Sequence, residues 1–287
     1  MAGSFGGRVV PVDPQADVAA HYSSGTLLGE IHAALTAMGL SEQSVTAEDL
    51  GPVDEFHVGG RPATVELVEH LQATSASELL DIGCGIGGTA RFIASTTGAR
   101  VIAVDLTPEY VDVARTLTEW TSLDHLVGFE VASAVDMPFD AESFDGATQL
   151  HVGMNIPDKA ALFAEIHRVL RPGARFALYD IMTMSAGDIT FPVPWAGDAS
   201  ASFVADVASY REHLAAAGFE VLVERNRGPF AAEFFATMRQ RTVNEDGPPP
   251  LGLHVMMGPD AATKIGNMTT AISTGIVAPV ELICRRP

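Results

Sequence analysis

With 287 residues, 47% of them hydrophobic and 7% aromatic, the chain has enough apolar material for one large domain, or one domain with a cap, and no signature of disorder. Its net charge of −19 argues against partners held by phosphate neutralisation, so neither nucleic acid nor an anionic membrane surface is expected. Apolar runs stay short of a membrane span, the N-terminus shows no basic-then-apolar leader, and Cys84 and Cys284 are too few for a disulfide framework or a thiolate zinc site; the sequence reads as a cytoplasmic protein.

Residues 17–39 show helical spacing through Leu27, Leu28, Ile31 and Leu35. A polar connection and Asp54-Glu-Phe-His-Val-Gly-Gly60 lead to a helix expected over Pro62 to Leu71. The run Glu78 to Ile82 is a short strand that carries Asp81 and stops in Gly83, Gly85, Gly87 and Gly88. Glycine lets the backbone turn sharply and approach a ligand, and a helix over Thr89 to Thr96 would point its free N–H groups there. Gly83, Gly85 and Gly88 also satisfy the dinucleotide pattern G-x-G-x-x-G. Asp81 separates the two readings. A carboxylate beside the cradle repels a pyrophosphate and attracts S-adenosylmethionine, which carries an ammonium and a sulfonium and no phosphate.

Arg100 to Val104 forms a second strand ending in Asp105, whose carboxylate is placed to accept ribose hydroxyl protons. Thr107 and Pro108 open a helix as N-cap and first helical residue. Phe129 to Ala132 is a third strand, and Phe144 to Leu150 a fourth that runs into His151-Val-Gly-Met-Asn155. Asp158 caps a helix with Leu162, Ile166, Val169 and Leu170 on one face. That helix stops at Arg171-Pro172-Gly173, and Arg175 to Ile181 is the fifth strand. Another strand is expected over Phe219 to Val223 and the last near Val280 to Cys284. Pro279 is placed at the start of that strand, since inside a central strand it removes a ladder bond. Between them Arg227 to Gly275 reads as an insertion. Its cluster Phe230, Phe234, Phe235 and Met238 is read first as the insertion's own core and second as an acceptor wall.

The order strand, carboxylate, G-x-G-x-G resembles the first motif of class I methyltransferases, and residues 169–180, VLRPGARFALYD, resemble their post-motif region. The likeness spans residues 50 to 226 and points to the branch holding the ubiquinone/menaquinone C-methyltransferases and the sarcosine/dimethylglycine N-methyltransferases. It implies a Rossmann-like α/β fold, a mostly parallel seven-stranded sheet with an antiparallel last strand. The implied parts are an N-terminal helical lid (1–63), a cofactor-binding core (64–226), an acceptor-side cap insertion (227–275) and the final strand (276–287). It also implies S-adenosylmethionine as cofactor. Asp81, Gly83, Gly85 and Gly87 would shape its methionine and ribose side, Asp105 with Leu106 would hold the ribose, and Ser133 and Ala134 would meet the adenine. Gly59 and Tyr22 fall to the methionine end. Many members have an acidic residue where this chain has Ser133.

An activated sulfonium leaves the protein two tasks: positioning, and accepting a proton when the nucleophile must lose one. His151 is the candidate base, because the carboxyl end of the fourth strand lies beside the sulfonium in this fold and histidine titrates near neutrality. Asn155, Asp180, Trp195 and His254 are candidate acceptor contacts, and His57 stands just before Gly59-Gly60. The nine histidines show no metal-ligand spacing, so no metal is expected and magnesium-assisted catechol chemistry is set aside. The shortage of thiols sets aside arsenic methylation. The expected reaction is methyl transfer to nitrogen or oxygen of a small metabolite, with C-methylation of a quinone-like or other apolar molecule as the alternative. Two readings of other classes stay open: an NAD-dependent oxidoreductase, and a methyltransferase fold that binds the cofactor without transferring methyl. A homo-oligomer is compatible with the sequence.

Overall fold

The computed structural model describes residues 19, 21–244 and 249–287. Two helices, α1 (Leu27–Ala37) and α2 (Gly51–Asp54), precede α3 (Gly60–Glu69) and the first strand. The core then alternates β1 (Glu78–Ile82), α4 (Gly88–Thr97), β2 (Arg100–Asp105), α5 (Pro108–Trp120), β3 (Val127–Val131) and β4 (Phe144–Leu150). It continues through α6 (Lys159–Val169), β5 (Leu170–Thr183), α7 (Val207–Ala216) and β6 (Glu220–Asn226). Three helices, α8 (Gly228–Asn244), α9 (Leu253–Met257) and α10 (Ala261–Ser273), separate β6 from β7 (Val277–Arg285). The strands form one sheet in the order β3-β2-β1-β4-β5-β7-β6. Only β7 runs antiparallel to its neighbours. The expected Rossmann-like α/β architecture is therefore present.

Alternation along the strands makes two cores. In β1, Leu79 faces one side of the sheet, and Leu80 and Ile82 face the other. The first side is covered by α3, α4 and α5 through Leu67, Ile93 and Val111. The second is covered by α6 and α7 through Leu162, Ile166 and Leu214. Connections leave β1 toward β2 and β4 toward β5, so the strand order reverses between β1 and β4. A crevice opens at the carboxyl ends of strands where the order reverses, and ligands of open α/β sheets bind there. Over that edge sit two further clusters. One joins α1 and α2 to α5 through Ile31, Leu35, Val53 and Leu117; the other joins α8 and α10 to Trp195, Met154 and Ile181.

Three local expectations differ. Residues 17, 18 and 20 of the first helical pattern lie outside the described residues, and the regular helix is Leu27–Ala37. β5 starts at Leu170, paired with Phe144, and resumes pairing at Arg175 with Gly146, so the Arg171-Pro172-Gly173 breaker is a bulge within the strand. Pro279 lies inside β7, two residues after its start, because the strand extends further than its apolar run. The carbonyl of Pro279 accepts from Arg227 N–H at the point where β6 has just ended and the chain turns into α8. A missing N–H on that side forfeits no ladder bond. Among the described residues no helix is long and apolar enough to cross a membrane.

The N-terminal helices and the core meet at a buried ion pair. Arg91 of α4 donates to Asp54 of α2 at 2.5 Å and to Thr118 Oγ1 of α5 at 3.1 Å, with both charged side chains fully shielded from solvent. Burial pushes the Asp54 carboxyl up to about 6 despite the guanidinium. Arg91→Met should therefore lose about 3–5 kcal/mol at pH 8, the cost of an uncompensated buried charge. The loss should shrink at pH 5, where Asp54 is protonated and no charge is left unpaired; urea unfolding at the two pH values measures it.

Candidate functional site

The site is built from the way β1 ends. The N–H groups of Gly83 and Cys84 both donate to the carbonyl of Val104, at 2.8 and 3.0 Å, which turns the chain off the sheet beside the tip of β2. Gly83 has φ 66°, and a Cβ there would stand 2.3 Å from Val152 Cγ2, so both the turn and the close approach require glycine. Gly85 N–H then donates to Asp105 Oδ2 at 2.8 Å, while Asp105 Oδ1 accepts from Thr107 N–H at 2.9 Å. The Thr107 side chain, expected to cap α5, makes no capping hydrogen bond. Burial raises the Asp105 carboxyl above its ordinary value, opposed by these N–H donors.

Asp81 lies beneath the loop and is 1% exposed. Its Oδ1 accepts from Thr148 Oγ1 of β4 at 2.7 Å, and Oδ2 is shut off from solvent without a well-formed hydrogen bond. Burial pushes this carboxyl up to about 7, with Thr148 donation opposing the rise. Two carboxylates with raised pKa thus flank a cradle of backbone N–H groups, an arrangement that a cationic ligand relieves.

Above the loop is a cavity of about 300 Å³, walled by the loop, the carboxyl ends of β1, β2 and β4, the lid and the three helices before β7. Of the residues singled out in the sequence, Tyr22, Asp81, Gly83, Gly85, Asp105, Leu106, Ser133, Ala134, His151, Asn155 and Trp195 line it. Four do not. Gly59 caps α3 and packs under Phe230; Gly87 caps α4 with its back to Phe129. Asp180 is fully buried, with Oδ2 accepting from Tyr210 O–H at 2.8 Å and Oδ1 from Ile181 N–H, so its carboxyl is turned toward the α7 side of the sheet. In α9 Leu253, Met256 and Met257 face the cavity, while His254 lies off that face. The cluster read first as the insertion's own core contributes Phe234, Phe235 and Met238 to the wall, so packing and lining fall to the same side chains.

His151 follows β4 with φ 54°, held by its N–H donating to Tyr179 O at 2.7 Å. Its ring lies 5.2 Å from that of Tyr179 and 5.9 Å from that of His57. Burial drives its pKa well below the ordinary imidazole value, with His57 adding to the effect, and Nε2 has no hydrogen-bond partner. His57 is committed elsewhere: Nε2 contacts Glu55 Oε2 at 2.8 Å and Thr64 Oγ1 at 3.0 Å. Asn155 joins lid to wall, its Oδ1 accepting from Tyr22 O–H at 3.1 Å and its Nδ2 donating to Trp195 O at 2.8 Å. Sequence reasoning missed Phe56, Tyr110, Met154 and Met268, which line the cavity from four different elements. Helical spacing marks such residues as apolar faces but does not say that a cavity adjoins them. Among the described residues no cluster of metal-ligating side chains is found.

Residues 80–178 match the family model described as a methyltransferase domain. The chain is 32% identical over 140 residues to the methyltransferase GfsG of Streptomyces halstedii, covering 49% of this chain and 50% of that one. It is 38% identical over 120 residues to the chloroplastic tocopherol O-methyltransferase of Arabidopsis thaliana, covering 41% and 34%. The matched stretch therefore spans half or less of these relatives. Among solved structures, the [4+2]-cyclase SpnF superposes with a TM-score of 0.68 at 20% identity, over 97% of this chain and 98% of that one. Geranyl diphosphate C-methyltransferase of Streptomyces coelicolor A3(2) gives 0.65 at 19% identity, over 96% and 99%. These likenesses show a shared fold.

The tight approach at Gly83 is testable by a double-mutant cycle. Gly83→Ala is expected to cost about 2–3 kcal/mol, from the left-handed backbone together with the clash at Val152. Adding Val152→Ala should return about 1 kcal/mol of that in urea unfolding. A cycle with no coupling would show that Val152 does not set the requirement for glycine.

Proposed function

We propose that the chain, whose residues 80–178 match a methyltransferase domain, belongs to the class I S-adenosylmethionine-dependent methyltransferases and transfers a methyl group from S-adenosylmethionine to nitrogen or oxygen of a small metabolite. The observation that carries this is the pair of carboxylates, buried Asp81 and half-buried Asp105, at a glycine cradle whose cavity has no Lys or Arg in its wall among the described residues. A pyrophosphate cofactor would meet only repulsion from those acids, which disfavours the dinucleotide reading. A cofactor with an ammonium and a sulfonium supplies the missing positive charge.

Residues of this chain then take distinct parts. Asp105, with Leu106, holds the ribose; the Gly83–Gly85 backbone and Asp81 receive the methionine moiety; Ser133 and Ala134 line the adenine end. The cofactor, when bound, supplies an electrophilic methyl carbon on sulfur. Tyr22, latched to Asn155, closes the lid side of the cavity and excludes water, which strengthens electrostatic interactions inside it. His151 is neutral because its ring is desolvated, so one ring nitrogen has a lone pair for a proton leaving the nucleophile. Its depressed pKa suits a proton that becomes acidic only as the new bond forms.

The direct test is transfer of isotopically labelled methyl from S-adenosylmethionine into a fractionated extract of small metabolites. A labelled product supports the reading, and its mass and bond type identify the acceptor atom. Cofactor binding with no label transferred to any fraction would favour the non-methylating reading. With an acceptor in hand, His151→Gln should lower kcat/KM by about 10²-fold or more. S-adenosylhomocysteine affinity measured by calorimetry should stay within about twofold for that variant, since His151 is assigned to the proton and not to the cofactor.

A second prediction follows from Asp81. Its carboxyl is raised to about 7 in the free protein, so below that pH it is mostly protonated and presents no charge to a cation. Affinity for S-adenosylmethionine should therefore climb as pH rises toward 7, by up to about tenfold per unit, and level off above it. Binding near pH 6 should release protons, measured by calorimetry in buffers of different ionisation enthalpy. Asp81→Asn should flatten the profile.

A further inference from the structure

The cofactor assignment leaves the other end of the cavity without a ligand. Beyond His151 its wall is made by Met154, Trp195, Phe234, Phe235, Met257 and Met268. Trp195, Phe235 and Met268 also belong to one packed cluster with Val58 and Ile181, so this wall is anchored to the end of β5. Sulfur and aromatic carbon dominate it. Unbranched methionines adapt to differently shaped apolar partners, which leaves shape a weak filter here.

Charge is the stronger filter. The polar atoms at this end are already engaged: Asn155 with Tyr22 and Trp195 O, Trp195 Nε1 with Ser202 Oγ at 2.9 Å, and His57 with Glu55 and Thr64. Cations of the surrounding elements face other groups. Arg61 contacts Glu55 at 2.8 Å, Arg91 pairs with Asp54, Lys159 Nζ donates to the carbonyls of Ile156 and Phe203, and Lys264 Nζ donates to the carbonyl of Met257 at 3.0 Å. His151 Nε2 is buried with no hydrogen-bond partner, and His151 lines the same cavity as Asp81 and Asp105. An anionic group carried into this end would lose its hydration, gain no counter-charge and feel the fields of Asp81 and Asp105.

Building on the methyl-transfer reading, we propose that the acceptor is an uncharged molecule, apolar over most of its surface, that presents a single hydroxyl group to His151. Acceptors that bring a phosphate, diphosphate or carboxylate into the cavity are rejected. The apolar body is held by burial against the methionine and aromatic wall, and the hydroxyl supplies the one polar partner that the wall lacks.

Matched pairs of probes test this by calorimetry on the whole chain, saturated with S-adenosylhomocysteine. 2-Naphthol is compared with 2-naphthyl phosphate, and geraniol with geranyl diphosphate. Each neutral probe should bind at least tenfold more tightly than its charged twin, and 2-methoxynaphthalene, which has no proton to donate, should bind more weakly than 2-naphthol. Met268→Lys puts an ammonium into the wall and should cut the preference for neutral probes at least tenfold. Met257→Lys serves if the first variant fails to fold by circular dichroism. Charged twins binding as tightly as the neutral molecules, neither neutral probe binding, or a preference untouched by a folded lysine variant would each overturn the proposal. The same titrations without S-adenosylhomocysteine separate it from the reading it builds on. A protein that takes the neutral probes but not S-adenosylhomocysteine loses the cofactor assignment, whereas one that binds S-adenosylhomocysteine and prefers the anions loses only the acceptor class.

Discussion

The carbonyl of Val104 accepts two N–H groups, from Gly83 and Cys84, and this shared acceptor sets where β1 leaves the sheet. The exit is possible because the chain there has no Cβ to meet Val152. It brings Gly85 N–H onto Asp105, so the tips of β1 and β2 are tied at one point. Asp81 is consequently covered by the loop that follows it, and Thr148 from β4 is the hydroxyl that reaches it. The electrostatic character of the site, two acids under a cradle of amides, follows from that geometry and from burial.

The N-terminal helices and the helices between β6 and β7 depend on the same edge. Glu109 of α5 accepts from the N–H groups of Ser24, Gly25 and Leu27, so a core helix caps the start of α1. Arg91 ties α2 to α4, and Tyr22 reaches over the crevice to Asn155, which holds the Trp195 loop. A chain of named contacts thus runs from the N-terminal helices to the loop before residues 199–201 and on to the wall formed with α8 and α10. The cavity is closed by elements far apart in sequence, α1 and α2 held by α5 and α4, and Trp195 packed with Ile181 of β5. That explains how one edge can carry an acidic, hydrogen-bonded half and an apolar half side by side.

Local chemistry made much of this legible. β1 and β4 have the bounds read from the sequence, and Asp158 caps α6 by accepting from Ala161 N–H. The departures share a cause. Pro279 could enter β7 because its neighbour had already left the sheet, and the Arg171-Pro172-Gly173 breaker became a bulge because Leu170 found a partner in Phe144. Asp180 reads from the sequence as a strand-tip residue that would face a ligand, yet β5 runs on to Thr183 and Tyr210 from a later helix turns its carboxyl away. His254 is one residue off the face that its neighbours Leu253 and Met257 present. For Pro279, the breaker and Asp180 a partner remote in sequence decided the outcome.

What the sequence determined alone were the features encoded by neighbours along the chain: strand, carboxylate, glycine turn and helix. Backbone sterics and hydrogen bonding over a few residues are enough to specify such a turn, so its reading transfers from residues to structure directly. The tertiary structure decided which apolar side chains face a cavity instead of a core, which acids lose their water, and which histidine keeps a free nitrogen. Burial depends on everything packed around a residue, so Asp81 and Asp180, alike in the sequence as carboxylates at strand ends, become one acid in the cavity wall and one bound beneath it.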